Sequence, residues 1–156
     1  MIHLLKRIYF YLSWPGLALY FAAGTRSRVV ILDTAGRMLL VQGKWKAWYD
    51  DGGLSLPGGG LHSSESPQQG AVRELAEELG IAVPDTELEL LTQARIVEYG
   101  ISYDAHIFKM VLRKDVELTL QSSEIVSAQW YAPQDLQDVR LKPDVRRVLQ
   151  LLASAR

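Results

Sequence analysis

The stretch Ser66 to Gly80, SPQQGAVRELAEELG, constrains the fold more than any other part of the chain. It carries the start and stop signals of one helix. Ser66 is placed to cap the N-terminus, Pro67 stands at the first helical position, and Gln69 completes a capping box. Gly80 closes the far end. Val72, Leu75, Ala76 and Leu79 recur at the spacing of a buried helical stripe. At about 100° per residue, Glu74, Glu77 and Glu78 fall on the opposite side. The helix must therefore bury one face and crowd carboxylates on the other.

Like charges at these spacings repel by roughly 0.2–0.5 kcal/mol per pair on an exposed helix. A solvated acidic face normally places Lys or Arg four residues after each Glu. Here those positions hold Glu78, Ile81 and Ala82, so internal pairing is left to Arg73 and Glu77. The expectation is a face that a bound divalent cation neutralises. Hard cations such as Mg2+ favour carboxylate oxygens and keep waters for substrate phosphates. With no cysteine in the chain, any metal must rest on oxygen or histidine ligands. The preceding LPGGGLHSSE, residues 56–65, sets a glycine run before the helix. Glycines let a backbone approach closely and present N–H groups, as phosphate-cradling loops require.

Around this unit the pattern is strand-like. SRVVILD (27–33) and RMLLVQG (37–43) read as two strands joined by a tight turn. Further strand-like runs lie near 87–98, 101–113, 116–121 and 125–132. A short helix is expected after Pro133, and a C-terminal helix over 143–155 with Val145, Val148, Leu149 and Leu152 on one face. The order predicts an α+β fold, a mixed sheet covered by helices on both faces. A length of 156 residues, 48% of them hydrophobic, suits one domain with a real core. A net charge of −1 lacks the basic excess of a nucleic-acid binder, so no stable nucleic-acid binding is expected.

Residues 8–24, IYFYLSWPGLALYFAAG, are almost wholly apolar and follow Lys6 and Arg7. Pro15-Gly16 interrupts the run, which is short for a membrane span. We expect an arm, residues 1–24, packed on the domain 25–156 or on a second subunit, with a homodimer favoured. Contact with a membrane interface is the weaker reading, and a cleaved signal or true span weaker still.

Gly59, then Glu65, then Arg73-Glu74-Leu75-Ala76-Glu77-Glu78-Leu79-Gly80-Ile81 stand at the spacing of the Nudix box. The chain resembles the Nudix hydrolase family at every position of that box. The resemblance implies a Nudix-type α/β/α sandwich around a mixed β-sheet. It implies a hydrolase that cleaves a phosphoanhydride bond in a nucleoside diphosphate linked to another group, by attack of a metal-activated water. Mg2+ or Mn2+ is the implied cofactor, a small-molecule nucleotide the implied partner, and the cytoplasm the expected location. Carried over, it makes Glu74, Glu77 and Glu78 metal ligands and Glu65 an additional or outer ligand. Arg73 would orient the glutamates through ion pairing, and Gly58, Gly59 and Gly60 would form the loop that positions the helix. A carboxylate must also accept the attacking water's proton. Glu124, six residues before Trp130, matches the loop glutamate that several Nudix enzymes use as base or extra ligand. Glu98 and Glu117 are its rivals.

Other residues keep two readings. Trp45 and Trp48 either stack on a nucleobase or pack their loop onto the domain. Lys44 and Lys46 meet phosphates or water. Tyr99 matches a tyrosine of the family's dinucleoside polyphosphate hydrolases, or is a plain strand residue. Arg95, Ile96 and Val97 occupy the place where many ADP-ribose enzymes of the family carry proline, and the absence of cysteine argues against its isoprenoid-isomerase branch. Trp130 is expected in the core, and His62 and His106 in structural or surface roles. The alternative to an enzyme is a non-catalytic Nudix-like module that binds and senses a nucleotide. The intact set of glutamates favours the enzyme.

Overall fold

The computed structural model describes residues 24–43, 52–98, 100–113, 116–121 and 124–154. Residues 1–23 of the arm, Lys44, Trp45, Lys46, Trp48 and Tyr99 lie outside the described residues.

β1 (Thr25–Asp33) turns back into β2 (Met38–Gly43). The turn is built on the Asp33 carboxylate, which accepts the Ala35 and Arg37 N–H groups at 2.9 and 2.8 Å. Helix α1 (Pro67–Leu79) follows, then β3 (Glu89–Glu98), β4 (Ile101–Leu112), β5 (Ile125–Tyr131) and helix α2 (Pro143–Ser154). The sheet runs β3-β4-β1-β2-β5 and is mixed, because β1 pairs parallel with β4 while the other pairings are antiparallel. A central strand with both faces covered needs apolar residues on both, which is why Val29-Val30-Ile31 does not alternate with polar residues. Val29 and Ile31 pack beneath α1 with Leu75, Leu79, Phe108 and Met110. Val30 and Leu40 face the other way, against Val145 and Val148 of α2. The expected α/β/α sandwich is therefore the observed one, with a core on each face of the sheet.

α1 begins and ends on its predicted signals. Ser66 accepts the Gln69 N–H, Gln69 accepts the Ser66 N–H, and Gly80 takes the left-handed conformation at φ +70°. Such a cap stabilises a helix by about 1 kcal/mol. The buried face differs from the predicted stripe. Ala71, Leu75 and Leu79 are buried and Val72 is half-buried, but Ala76 is exposed. Glu74 and Glu78 are buried as well, so the covered arc is wider than the apolar one.

The run 116–121 is not a strand. Its alternating Leu118 and Leu120 do pack on the α1-side core. Its N–H groups, however, serve the last turn of α1, Thr119 donating to Leu79 at 2.9 Å and Gln121 to Glu78 at 3.1 Å. Carbonyls at a helix C-terminus have no partner within the helix, and this segment supplies one. The helical turn expected after Pro133 is a 3-10 helix, Pro133–Gln137.

β1 and β2 pair at Ile31–Leu39 and Leu32–Met38, near their shared turn. Towards the other end the segment 54–61 enters between them. Ser55 exchanges hydrogen bonds with Val41 of β2, while Val29 and Ser27 of β1 donate to the carbonyls of Pro57 and Gly59, both at 3.0 Å. This wedge brings the glycine loop against the start of α1.

Candidate active site

The loop lies so close to β1 that Gly58 must be glycine, and so close to α1 that a side chain on Gly59 would displace the Glu74 carboxylate. Gly58 sits at φ +126°, and a Cβ there would come within 2.3 Å of the Ser27 carbonyl oxygen. A Cβ on Gly59 would lie 2.4 Å from the Glu74 carboxylate. The Gly58 N–H donates to Glu78 Oε2 at 2.8 Å, and the Gly58 carbonyl accepts from Arg28 Nη1. The expectation that these glycines offer N–H groups to a phosphate fails at Gly58, whose N–H is taken by the helix.

Arg73 organises the acidic face with all five of its donors. Nε and Nη2 grip Glu65 at 2.7 and 3.1 Å, and Nη1 reaches Glu74 at 2.8 Å and Glu77 at 2.9 Å. The fifth bond runs from Nη2 to the Gly60 carbonyl at 2.8 Å. The sequence suggested that the protein leaves this repulsion largely uncompensated. The structure corrects that, because the loop brings Glu65 to Arg73 and the guanidinium then spans several carboxylates at once. Glu65 is held down to about 2 by the Arg73 hydrogen bonds and the His62 N–H.

The three helix glutamates are not equivalent. Glu77 is exposed, whereas Glu74 and Glu78 are buried at 8% and 7% exposure. Burial pushes the Glu74 carboxyl up, against the opposing effect of Arg73. Burial pushes Glu78 up to about 7, with the Gly58 N–H and Arg28 opposing and the charges of Glu74 and Glu124 adding to the rise. Glu124 is thus within the electrostatic reach of Glu78. It stands exposed in the turn before β5, its N–H bonded to the Gln121 carbonyl at 3.1 Å.

The rival glutamates are placed differently. Glu98 accepts from Lys142 Nζ at 3.0 Å and from the Tyr103 hydroxyl at 3.3 Å, in a polar group on the α2 face. Glu117 is exposed on the segment that crosses the end of α1. His62 touches the site through its backbone N–H, at 2.9 Å from Glu65 Oε2, and its exposed side chain brings Nδ1 to 3.6 Å from Glu65 Oε1. His106 lies within β4, and Trp130 packs at the rim of the core.

Two residues of this region were not singled out from the sequence. Arg28 is 9% exposed and Asp144 2%, and they form an ion pair at 3.4 Å on the opposite face of the sheet from α1. Asp144 Oδ2 also accepts the Leu56 N–H at 3.2 Å, and Oδ1 the Val145 N–H at 2.8 Å. An arginine inside the apolar run SRVVILD was the available signal. Asp144 reads as an ordinary acid in a first helical turn and gives none.

Among the described residues, no group of three His, Cys, Asp or Glu converges on one point as they stand. The Arg73 guanidinium occupies the space between Glu65, Glu74 and Glu77. In donor chemistry the set nevertheless fits a hard divalent cation. Its atoms are carboxylate oxygens, and ionisation of Glu74 and Glu78 is disfavoured in a way that nearby positive charge reverses.

The family model described as the NUDIX domain matches residues 24–152, and the chain belongs to that family. A Nudix hydrolase of Rhodococcus erythropolis is 38% identical over 86 residues, covering 52% of this chain and 46% of that protein. A Mycobacterium tuberculosis protein provisionally named 8-oxo-dGTP diphosphatase 3 is 31% identical over 111 residues, covering 69% of this chain and 51% of that protein. The chain spans about half the length of these relatives. The crystal structure of a MutT protein from Methanosarcina mazei superposes with a TM-score of 0.72 at 20% identity, covering 85% of this chain and 94% of that one. Among the described residues no helix is long and apolar enough to cross a membrane.

Proposed function

We propose that this chain is a metal-dependent hydrolase that cleaves a phosphoanhydride bond in a nucleoside diphosphate linked to another group. The observation that carries the reading is the packing of Glu74 and Glu78 beneath the glycine loop beside the Glu65–Arg73–Glu77 cluster. Buried carboxylates without full neutralisation are unfavourable in a merely structural helix. Glu74, Glu77 and Glu78 are the proposed holders of Mg2+ or Mn2+, with Glu65 beside them. A divalent cation bound there supplies charge neutralisation for the diphosphate and acidifies a water molecule.

The chain's own residues do the positioning. Glu65 fixes Arg73, and Arg73 orders Glu74 and Glu77. Gly58 fixes the Glu78 carboxylate. Glu124 is the proposed base: exposed and on a separate element, it takes the proton of the attacking water as oxygen adds to phosphorus. The phosphorus–oxygen bond to the leaving phosphate then breaks.

Incubation with nucleoside triphosphates, nucleotide sugars, ADP-ribose and dinucleoside polyphosphates, followed by product identification, tests the reading. The name of the mycobacterial relative puts 8-oxo-dGTP in that panel. Turnover with Mg2+ or Mn2+ that stops with EDTA is expected. Binding of a nucleotide without turnover under all these conditions would favour the sensing module.

A further inference from the structure

The buried Arg28–Asp144 pair sits across the sheet from the acidic face, yet both lead to the same residue. Gly58 is held from two sides, its N–H by Glu78 of α1 and its carbonyl by Arg28 of β1. A glycine at φ +126° has no side chain to restrain it and samples much of backbone space when free. Its orientation therefore depends on these pins. Arg28 is in turn held at Asp144, 3.4 Å from Nε, an ion-pair contact without hydrogen-bond geometry. Asp144 reaches the same loop directly through the Leu56 N–H. Just before it, Lys142 and Arg140 exchange backbone hydrogen bonds with Leu54, both at 2.8 Å. The start of α2 thus clamps the loop at Leu54, at Leu56 and, through Arg28, at Gly58.

We propose that Arg28 and Asp144 are positioning residues for hydrolysis, acting through the Gly58 backbone to aim the Glu78 carboxylate. This rests on the hydrolase reading above. A buried ion pair is a poor device for stability, since well-packed apolar residues of similar volume often replace one without loss. Here the pair has a geometric task that an apolar replacement cannot perform. A methionine at 28 fills the space but donates nothing to the Gly58 carbonyl. The loop then relaxes, and Glu78 loses its fixed donor.

The test uses the full chain and the variants R28M/D144L and R28K. It reads amide hydrogen exchange at Gly58 without metal, Mn2+ affinity by electron paramagnetic resonance, and kcat and KM on whichever nucleotide the wild type hydrolyses. In R28M/D144L the Gly58 amide should exchange at least about 10-fold faster. Mn2+ should bind about 10-fold more weakly and kcat should fall about 10–100-fold, the range for losing an outer-shell support. KM should stay within about 3-fold, because the loss concerns aim rather than substrate contact. R28K, which retains one donor, should recover part of each effect. Wild-type Gly58 protection or wild-type kcat in the double variant overturns the proposal. If that variant does not fold, R28K decides by the same readings: an intermediate value supports the proposal and a wild-type value overturns it. If the wild type hydrolyses no panel member, the hydrolase reading fails, and the exchange and Mn2+ readings alone judge the relay.

Discussion

Arg73 and Arg28 hold the same loop from opposite faces of the sheet, and their surroundings could hardly differ more. The Arg73 side chain is 19% exposed and spends every donor, on three carboxylates and one carbonyl. The Arg28 side chain is 10% exposed, shares one carboxylate, and leaves Nε without a hydrogen bond among the described residues. The first grouping borders solvent and is built from oxygens that a cation can claim. The second is sealed between the sheet and α2. Burial, rather than the type of ion pair, separates a rearrangeable site from a fixed support.

The largest expected effect is catalytic and lies on the open side. Glu124→Gln keeps shape but removes the proposed base. Loss of a positioned base typically lowers turnover by about 10²–10⁴-fold. KM should change little, because this carboxylate acts on water and not on substrate. Initial rates at saturating Mg2+ check it. Near-full activity would remove Glu124 from the mechanism and send the search to Glu117, since Glu98 is engaged on the far face.

On the sealed side the effect should fall on stability. Asp144→Ala leaves the Arg28 guanidinium buried without its partner, a change that costs about 3–5 kcal/mol. Arg73→Ala breaks more hydrogen bonds and strips buried Glu74 of its partner, but Glu65 and Glu77 border water, and burial already favours the protonated form of Glu74, which need not stay charged. Surface-type pairs are worth about 1 kcal/mol or less each, so its loss should be the smaller despite the larger count. Urea denaturation of the two variants compares the faces directly. Equal losses would mean that burial is not what separates them.

These two faces also differ in how plainly the sequence announced them. The Arg73 cluster is local: capping signals, helical spacing and the glycine run all lie within 56–80 and put Glu74, Glu77 and Glu78 on one helix face beside one loop, while Glu65 came in through the resemblance to the Nudix box. What spacing could not show was depth. Helical spacing puts Glu74 and Glu78 on the solvent side and Ala76 on the buried side, whereas the loop folds over the two glutamates and leaves Ala76 exposed. The Arg28–Asp144 pair joins β1 to the last helix, and nothing nearby in sequence marks either residue as the other's partner. The segment 116–121 failed differently. Its period-2 pattern was real, but its backbone groups went to a helix end and not to a sheet.

A smaller effect concerns pH. Glu78 is raised from its ordinary value to about 7 by burial, so the fold favours its protonated form. The stability this proton contributes is fully present below about pH 4.5 and is lost as pH rises through 7. Without metal, Glu78→Gln should therefore match the wild type near pH 4.5 and exceed it at pH 8 by on the order of 3 kcal/mol. Millimolar Mg2+ should reverse the order at pH 8, because a cation bound only to the folded state stabilises it by mass action. Thermal melts with EDTA and with Mg2+ at both pH values test this. An unchanged wild-type midpoint on adding Mg2+ would argue against a folded-state cation site of useful affinity.

The smallest effects on stability come from adjacent glycines. Gly60→Ala adds a methyl group where nothing lies within 4 Å, and its carbonyl remains available to Arg73. Stability should stay within about 0.5 kcal/mol of wild type and turnover should be unaltered. Gly59→Ala adds the same methyl one residue earlier, at 2.4 Å from the Glu74 carboxylate. A side-chain end moves more readily than backbone, so this clash is relieved by turning Glu74 aside at the loss of its hydrogen bond to Arg73, about 1 kcal/mol. Turnover should nevertheless fall, though by less than in Glu124→Gln, because Glu74 no longer points at the site. Paired melting curves and rates for the two variants separate a loop that merely spaces the helix from one that sets its carboxylates. Equal activity in both would mean that the position of Glu74 does not matter to the reaction.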